Sequence, residues 1–475
     1  MRLSALAAAP CNPDPDIKGL TADSRAVRDG FLFAALPGAA ADGADFIPQA
    51  ERSGAAAILA RPVVKTALPL IADDEPRRRL AEMASRFYPR QPAFIAGVTG
   101  TNGKTSTAVF ARSLWEMLGE NAGFIGTLGA RSGVFERKLV HTTPDPVTLH
   151  ETIDAMAGTG VTHLCMEVSS HALSQHRADA VRFNAAAFTN ITQDHLDYHA
   201  DFADYFSAKL RLFLDLASND AAAVVNLDGE GGDEVAQAAM KRGLRVLTTG
   251  AQGETLRLAS VAPRPSGLEI VVVAADKRYA LMLPLIGAFQ AENALLAAAI
   301  VIASERSASD VLPLLEQLPG VPGRMQHAVD VNGAGVYVDY AHTPDAIATA
   351  LSAIRPHAAG RVIVIIGAGG DRDRTKRPLM GRAAAGGADH VIVTDDNPRT
   401  ENPAAIRREV MAGCPDAEEI GDRAAAVFKG IAMLGKGDVL LIAGKGHEAG
   451  QIVGKETLPF DDVDVARRAA REIGR

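Results

Sequence analysis

The chain has 475 residues, 47% of them hydrophobic and 22% charged, with a formal net charge of -8. That balance suits about two to four globular domains at roughly 150 residues each, and so acidic a chain is a poor match for nucleic acid held by phosphate neutralisation. Cys11, Cys165 and Cys414 are scattered, which excludes a disulfide framework or a cysteine zinc cluster and fits a reducing compartment.

The Leu/Ala run of Met1 to Pro10 is too short for a secretion signal, and Asp14 and Asp16 follow at once, so an ordinary N-terminus is expected. No apolar run approaches the roughly 18 residues of a membrane span; a cytoplasmic protein without a membrane segment is expected. Pro89 and Pro92 bracket a linker, and 1–90 reads as the first of three domains. Apolar strands at 93–98, 162–168, 185–191 and 221–227 alternate with helical patterns from Lys104, over 201–216 and over 288–304. That alternation predicts a parallel α/β sheet in a second domain, 91–320. The Pro-Gly turns of 318–323 mark the next boundary, and strands at 335–339, 361–366, 390–394 and 438–442 predict a third α/β domain, 321–475.

The segment Gly97-Val-Thr-Gly-Thr-Asn-Gly-Lys-Thr105 leads a strand through a Gly-rich turn into a helix. Successive N–H groups of such a turn cradle phosphate oxygens at a helix N-terminus. Lys104 would reach the terminal phosphates, and the Thr105 hydroxyl would sit on Mg²⁺. The strict GxxxxGK[ST] pattern fails by one residue, since Val98 stands five before Gly103. An ATP-using protein follows; a plain helix-capping turn is the alternative.

Gly100-Thr-Asn-Gly-Lys-Thr105 resembles the ATP loop of the Mur ligase superfamily, whose members include the muramyl amino-acid ligases and folylpolyglutamate synthase. The resemblance implies a small N-terminal UDP-binding α/β domain, a central P-loop ATPase domain on a parallel sheet and a C-terminal Rossmann-like α/β domain. It implies ATP contacts from Gly100, Thr101, Asn102, Gly103, Lys104, Thr105 and Ser106, joined by Asn293, Arg324 and Asp339.

In Asp201-Phe-Ala-Asp-Tyr-Phe-Ser-Ala-Lys-Leu-Arg-Leu-Phe213, the residues Phe202, Tyr205, Phe206, Leu210 and Phe213 form an apolar stripe with Lys209 inside it. Lys209 either carries its amine out of a partly buried face or is desolvated. Desolvation favours the neutral amine, which adds CO2 to give a carbamate able to ligate Mg²⁺. The resemblance implies the latter: a carboxylated Lys209, with Glu167 and His195 as metal ligands, and Lys104, Lys209 and His195 as catalytic residues. By itself, Glu167 closes an apolar strand, where a carboxylate suits either a metal or solvent. Asn190, Asp194, His195, Asp197 and His199 crowd the following loop without zinc spacing.

Ser24 in Asp23-Ser-Arg25, Thr142 and Thr143 in His141-Thr-Thr-Pro-Asp-Pro146, and Ser169, Gln175 and Arg177 resemble the family's contacts to a UDP-muramyl dipeptide. Many relatives have Asn where His141 stands. In the last domain three charged turns follow apolar strands, where open α/β sheets bind ligands: Gly367 to Arg374, Asp395 to Thr400 and Ala443 to Glu448. A diamino diacid presents a distal zwitterion, which needs a guanidinium and a carboxylate; Arg399 and Arg372 suit the first role and Glu448 the second. Asp396-Asn397-Pro398-Arg399 resembles the signature of diaminopimelate-adding ligases, with Gly444 and Glu448 completing the pocket. The resemblance thus implies a monomeric ligase that joins meso-diaminopimelate to UDP-N-acetylmuramoyl-L-alanyl-D-glutamate through an acyl phosphate; lysine-adding and folylpolyglutamate-type ligases are the alternatives.

Overall fold

The computed structural model describes residues 1–38, 41–192 and 198–473. The chain divides into two compact units, Met1–Thr255 with Leu296–Ser307, and Leu256–Leu295 with Ala308–Arg475.

The first unit opens with a four-stranded parallel sheet whose strands, Gly19–Thr21, Phe31–Ala34, Ala57–Ala60 and Leu70–Ala72, lie in sequence order. Strand side chains alternate between faces, so Leu32 and Leu59 pack on Leu80 and Met83 of the helix Pro76–Phe87. Phe33 and Ile58 pack on Ile47 and Ala50 on the other side.

The same unit holds a larger sheet with the strand order Arg245–Gly250, Ala217–Asn226, Phe183–Phe188, Phe94–Thr99, His163–Glu167, Ala122–Gly126, Gly129–Ser132 and Glu136–Arg137. The first six run parallel and the last two antiparallel. Phe94–Thr99 is central, and the chain's next strands pass to either side of it, which makes its carboxyl end a switch point where open α/β sheets bind ligands. Buried on both faces, these strands read as continuous apolar runs such as Ile95 to Val98. The expected strand 162–168 is observed as His163–Glu167 and 185–191 as Phe183–Phe188.

The second unit contains three antiparallel strands, Leu256–Arg264, Gly267–Ala274 and Lys277–Leu283. It also has a six-stranded sheet ordered Gln326–Val331, Ala334–Asp339, Val439–Ala443, Val362–Ile366, His390–Val393, Glu418–Glu419, parallel apart from the first pair. Val364 and Ile366 face Ile347, Leu351 and Met380, whereas Ile363 and Ile365 face Val427, Ile431 and Ala466. A parallel sheet with helices on both faces is the Rossmann-like arrangement. Among the described residues no helix is long and apolar enough to cross a membrane.

Candidate active site

Four parallel strands of the first unit end on one edge and deliver Gly100 to Thr105, Thr127, Glu167 and Asn190 to a single place. Gly100 (φ +145°) and Gly103 (φ +86°) turn the loop in conformations that favour glycine. A Cβ on Gly100 would lie 1.8 Å from the Thr189 hydroxyl. Asn190 fixes the loop from outside: its carbonyl accepts from the Thr101 N–H at 2.8 Å and its side-chain oxygen from the Asn102 N–H at 3.1 Å. The helix Lys104–Met117 begins there, with Thr105 and Ser106 buried in its first turn.

Lys104 Nζ donates to the carbonyls of Gly100 (2.9 Å) and Thr101 (2.8 Å), so its ammonium stands over the loop. Lys209 Nζ donates to the same Gly100 carbonyl at 2.9 Å. Lys209 is 1% exposed, 4.3 Å from the centre of the Tyr205 ring. The break in the apolar stripe therefore marks an amine turned inward, and both lysines meet at one carbonyl. The helix that carries it, Phe202–Arg211, passes into a π-helical turn, Leu212–Leu216. Tyr205 OH lies 2.9 Å from Thr101 Oγ1, tying this helix to the loop.

Glu167 is 1% exposed. Its Oε2 accepts from Thr105 Oγ1 at 3.0 Å and its Oε1 from the Thr127 N–H at 2.9 Å. A Cβ at Gly126 would sit 2.2 Å from Oε1, so the strand end is kept bare for the carboxylate. Hydroxyl and carboxylate oxygens are hard donors of the kind Mg²⁺ takes, and Thr105 with Glu167 fits such an ion. His195, with Asp194 and Asp197, lies outside the described residues. His199 is described: it is 3% exposed, and its Nδ1 is 3.0 Å from Asp204 Oδ2.

The expected muramyl-substrate residues gather beside Glu167. Thr143 Oγ1 donates to the Glu167 carbonyl (2.9 Å) and accepts from the Ser169 N–H (3.1 Å). Thr142 Oγ1 lies 3.0 Å from Thr127 Oγ1. Arg177 donates to the Thr143 carbonyl at 3.0 Å and to Gln175 Oε1 at 2.7 Å. Burial holds Arg177 below the usual guanidinium range; Asp145 opposes that and Arg77 adds to it by like charge. Ser24 stands apart from this group, bonded to Gln49 Oε1 at 3.3 Å, on a cavity of about 600 Å³ that Phe33 and Phe46 also line. A smaller cavity of about 240 Å³, lined by Arg77, His141, Gln175 and Arg177, shares Ala22 and Leu36 with it. The two are neighbours.

Asn293, Arg324 and Asp339 belong to the second unit. Asn293 donates to Gln290 Oε1 at 3.1 Å. Asp339 accepts the N–H groups of Met325 (2.7 Å) and Ala341 (2.8 Å), and burial pushes its carboxyl up. Arg324 lies over the Tyr340 ring at 5.1 Å.

The three charged turns of the second sheet converge at its carboxyl edge. Arg399 has φ +50°, a strained value for a side-chain-bearing residue. The strain is held by its N–H bonded to Ile452 O (3.0 Å) and its carbonyl accepting from Gly454 N–H (2.8 Å). Its guanidinium donates to Gly370 O at 2.8 Å. Gly370 has to be glycine, because a Cβ there would stand 1.9 Å from Pro398 O. Arg372 borders the same Gly369 turn. Asn397 is 3% exposed and acts as a hub: Oδ1 accepts from Lys445 Nζ (3.0 Å) and Ile452 N–H (2.9 Å), and Nδ2 donates to Glu448 Oε2 (2.8 Å). Gly444 (φ +116°) lets Asp396 approach, since a Cβ there would lie 2.7 Å from Asp396 Oδ2. The structure thus brings Arg372, Asp396, Asn397, Pro398, Arg399, Gly444 and Glu448 to one edge.

Sequence reasoning missed the supports. Lys445 is fully buried and also bonds Glu448 Oε2 at 3.2 Å. Arg423 and Asp462, both without exposure, are paired at 2.8 Å, and Arg423 also donates to Ala443 O at 3.0 Å. Arg377, 1% exposed, clasps Glu401 and Glu409 at 2.8 Å each. Arg211 ties the Lys209 helix to the Leu173 carbonyl and to Asp179. No signal in the sequence set Arg377 and Arg423 apart from ordinary surface arginines. Thr127 and Arg77 had none either.

Three family descriptions match in chain order: the Mur ligase family catalytic domain over 16–88, the Mur ligase middle domain over 98–301 and the Mur ligase glutamate ligase domain over 323–446. UDP-N-acetylmuramoyl-L-alanyl-D-glutamate–2,6-diaminopimelate ligase of Bradyrhizobium diazoefficiens is 49% identical, over 96% of this chain and 95% of its own. The protein of the same description from Caulobacter vibrioides is 49% identical, over 97% of each chain. A solved structure of that description superposes with a TM-score of 0.73 at 31% identity, covering 96% of this chain and 95% of its own. The MurF ligase of Thermotoga maritima in complex with ADP shares the fold, with a TM-score of 0.59 at 19% identity over 96% of both chains.

Proposed function

The chain belongs to the Mur ligase family, and from that premise we infer that it is an ATP-dependent ligase joining 2,6-diaminopimelate to UDP-N-acetylmuramoyl-L-alanyl-D-glutamate in peptidoglycan synthesis. The observation that carries the acceptor is the turn Asp396 to Arg399, where the backbone holds Arg399 at φ +50° and Asn397, two residues before it, donates to the Glu448 carboxylate.

The chemistry follows from the groups present. The free D-glutamyl carboxylate attacks the γ-phosphorus of ATP, giving an acyl phosphate and ADP. The diaminopimelate amine then adds to the acyl carbon, and the tetrahedral adduct expels phosphate to leave an amide. Lys104, with Gly100 to Ser106, holds the phosphates, and most of the rate acceleration is electrostatic, because charge spreads over the transferring group. Thr105 and Glu167 would hold Mg²⁺, which when bound neutralises phosphate charge. A buried amine favours its neutral form, the form that adds CO2; a carbamate on Lys209 would place an anion among these groups, and His195 is the further metal ligand expected. Asn293, Arg324 and Asp339 serve the rest of ATP. Ser24, Thr142, Thr143, Ser169, Gln175 and Arg177 hold the UDP-muramyl dipeptide along the two cavities. The distal carboxylate of diaminopimelate, in the meso form, pairs with Arg399 and Arg372, and its distal ammonium with Glu448. The enzyme works as a cytoplasmic monomer, with domain boundaries near residues 90 and 320.

Mass analysis of products tests this, with ATP, the UDP-muramyl dipeptide and either diaminopimelate, lysine or glutamate supplied. The expected result is one new amide, with diaminopimelate alone. Arg399→Ala should lower kcat/KM for diaminopimelate by about 10²-fold, the scale of removing one side of a desolvated charge pair. A wild-type product with lysine at equal efficiency would overturn the acceptor assignment.

A further inference from the structure

The helix Pro76–Phe87 carries four arginines, and they are not equivalent. Arg78 lies 3.7 Å from both Glu75 and Glu82, Arg79 lies 3.1 Å from Glu82, and Arg86 lies 3.7 Å from Glu82. Arg77 alone has no carboxylate within ion-pair reach among the described residues. It is half-buried and turned the other way, donating Nη2 to the Pro37 carbonyl at 2.5 Å. That bond fixes one arm of the guanidinium and leaves the rest of the fork on the wall of the 240 Å³ cavity.

Packing of this helix against Pro146–Gly158, with Arg90 paired to Asp154 at 2.7 Å, sets the first sheet against the larger one. Arg77 thereby shares its cavity with Arg177. Like charges facing one small desolvated space are unfavourable unless an anion lies between them. Asp145 also lines the cavity and its charge partly offsets that of Arg177, but it is one carboxylate facing two guanidinium groups, with its Oδ1 held by the N–H groups of Val147 and Thr148 at 3.1 Å as the cap of that helix. The cavity adjoins the larger one at Ala22 and Leu36, within reach of a long substrate seated near Ser24.

We propose that Arg77 is a further substrate-binding residue, which closes with Arg177 on an anionic group of the UDP-muramyl substrate, a phosphate or a carboxylate. The proposal rests on the substrate assigned above. Guanidinium forks bind both anions in a bidentate manner, and lysine does so less well.

The test uses the full-length enzyme. Arg77→Gln should raise KM for the UDP-muramyl dipeptide at least about tenfold, with kcat within about threefold and KM for ATP and diaminopimelate unchanged, the signature of lost ground-state binding. The dependence of that KM on salt should become shallower, which loss of a merely structural bond to Pro37 would not cause. Arg77→Lys should recover part of the loss. Calorimetric titration with UDP and with the UDP-muramyl dipeptide separates the two sources: weakening of both indicates a phosphate, weakening of the second alone a carboxylate. If Arg77→Gln shows no cooperative unfolding transition, Arg77→Lys decides in the same assays. Wild-type affinity for both nucleotides in a folded variant overturns the clamp. A wild-type enzyme that binds the dipeptide nucleotide but makes no amide overturns the function and leaves the clamp standing.

Discussion

The phosphate loop of the first unit and the 395–400 turn of the second are both charged turns at the carboxyl edge of a parallel sheet, yet they are built differently. The loop is held by its immediate neighbours: two lysines on the Gly100 carbonyl, Asn190 on the Thr101 and Asn102 amides, and glycine where the backbone needs it. The turn is held from beneath, by Lys445 under Asn397 and by the buried Arg423–Asp462 pair bonded to the Ala443 carbonyl. The loop's supports bond its own backbone directly. The turn depends on buried charges beneath it.

The largest effect should come from the first region. Lys104→Ala removes a charge on the transferring phosphoryl group, and kcat should fall by about 10³-fold, the scale of losing one transition-state donor. KM for diaminopimelate should not move. Single-turnover measurement of ADP formation checks this, and a fall confined to KM would show that the loop only binds.

The second region should fail through stability instead. Arg423→Met leaves the Asp462 carboxylate buried and uncompensated, which costs about 3–5 kcal/mol. Faster amide exchange in Val439–Ala443 and a raised KM for diaminopimelate are the expected readouts. Replacing both partners, Arg423→Met with Asp462→Leu, should restore most of the stability, because a buried pair and an apolar pair are often nearly equal. If the single variant left exchange unchanged, the turn would not depend on the charges beneath it, and the contrast between the two regions would be lost.

That contrast also explains what the sequence could reveal. Gly100 to Thr105 was legible because its parts are contiguous, and Lys209 because it breaks an apolar stripe. Apolar runs announced four of the six strands of the second unit's sheet to within a residue, but not Gln326–Val331 or Glu418–Glu419. The antiparallel strands of 256–283 were not recognised, and the helix expected over 201–216 turns π-helical at Leu212. Glu167 was nameable, but not its bond to the Thr127 N–H, 40 residues away in the chain. Lys445, Arg423 and Arg377 were invisible for a physical reason: cations are seldom buried unless paired, and their partners are brought in only by the finished fold.

A smaller effect distinguishes the two regions by their buried titratable groups. Behind the first site, His150 has no exposure, its Nε2 is 3.1 Å from the Asp179 carbonyl, and burial pushes its pKa down to about 4. An unfolded histidine titrates near 6.5, so between these values the unfolded chain binds the extra proton. The stability that His150 contributes is therefore complete above about pH 6.5 and is lost as pH falls toward 4. Between pH 7.5 and 5 the loss comes to about 2 kcal/mol by linkage. In the second unit Arg423 keeps its charge over that range, and the fold gains stability as Asp339, pushed up by burial, takes a proton. The chain's single tryptophan, Trp115, is buried in the first unit and reports its unfolding. Urea titrations followed by Trp115 fluorescence should lose most of their dependence on pH in His150→Leu. The remainder belongs to His163 and, in the second unit, His357, which burial also pushes down. An undiminished slope in that variant would place the acid-sensitive group elsewhere and remove this distinction between the regions.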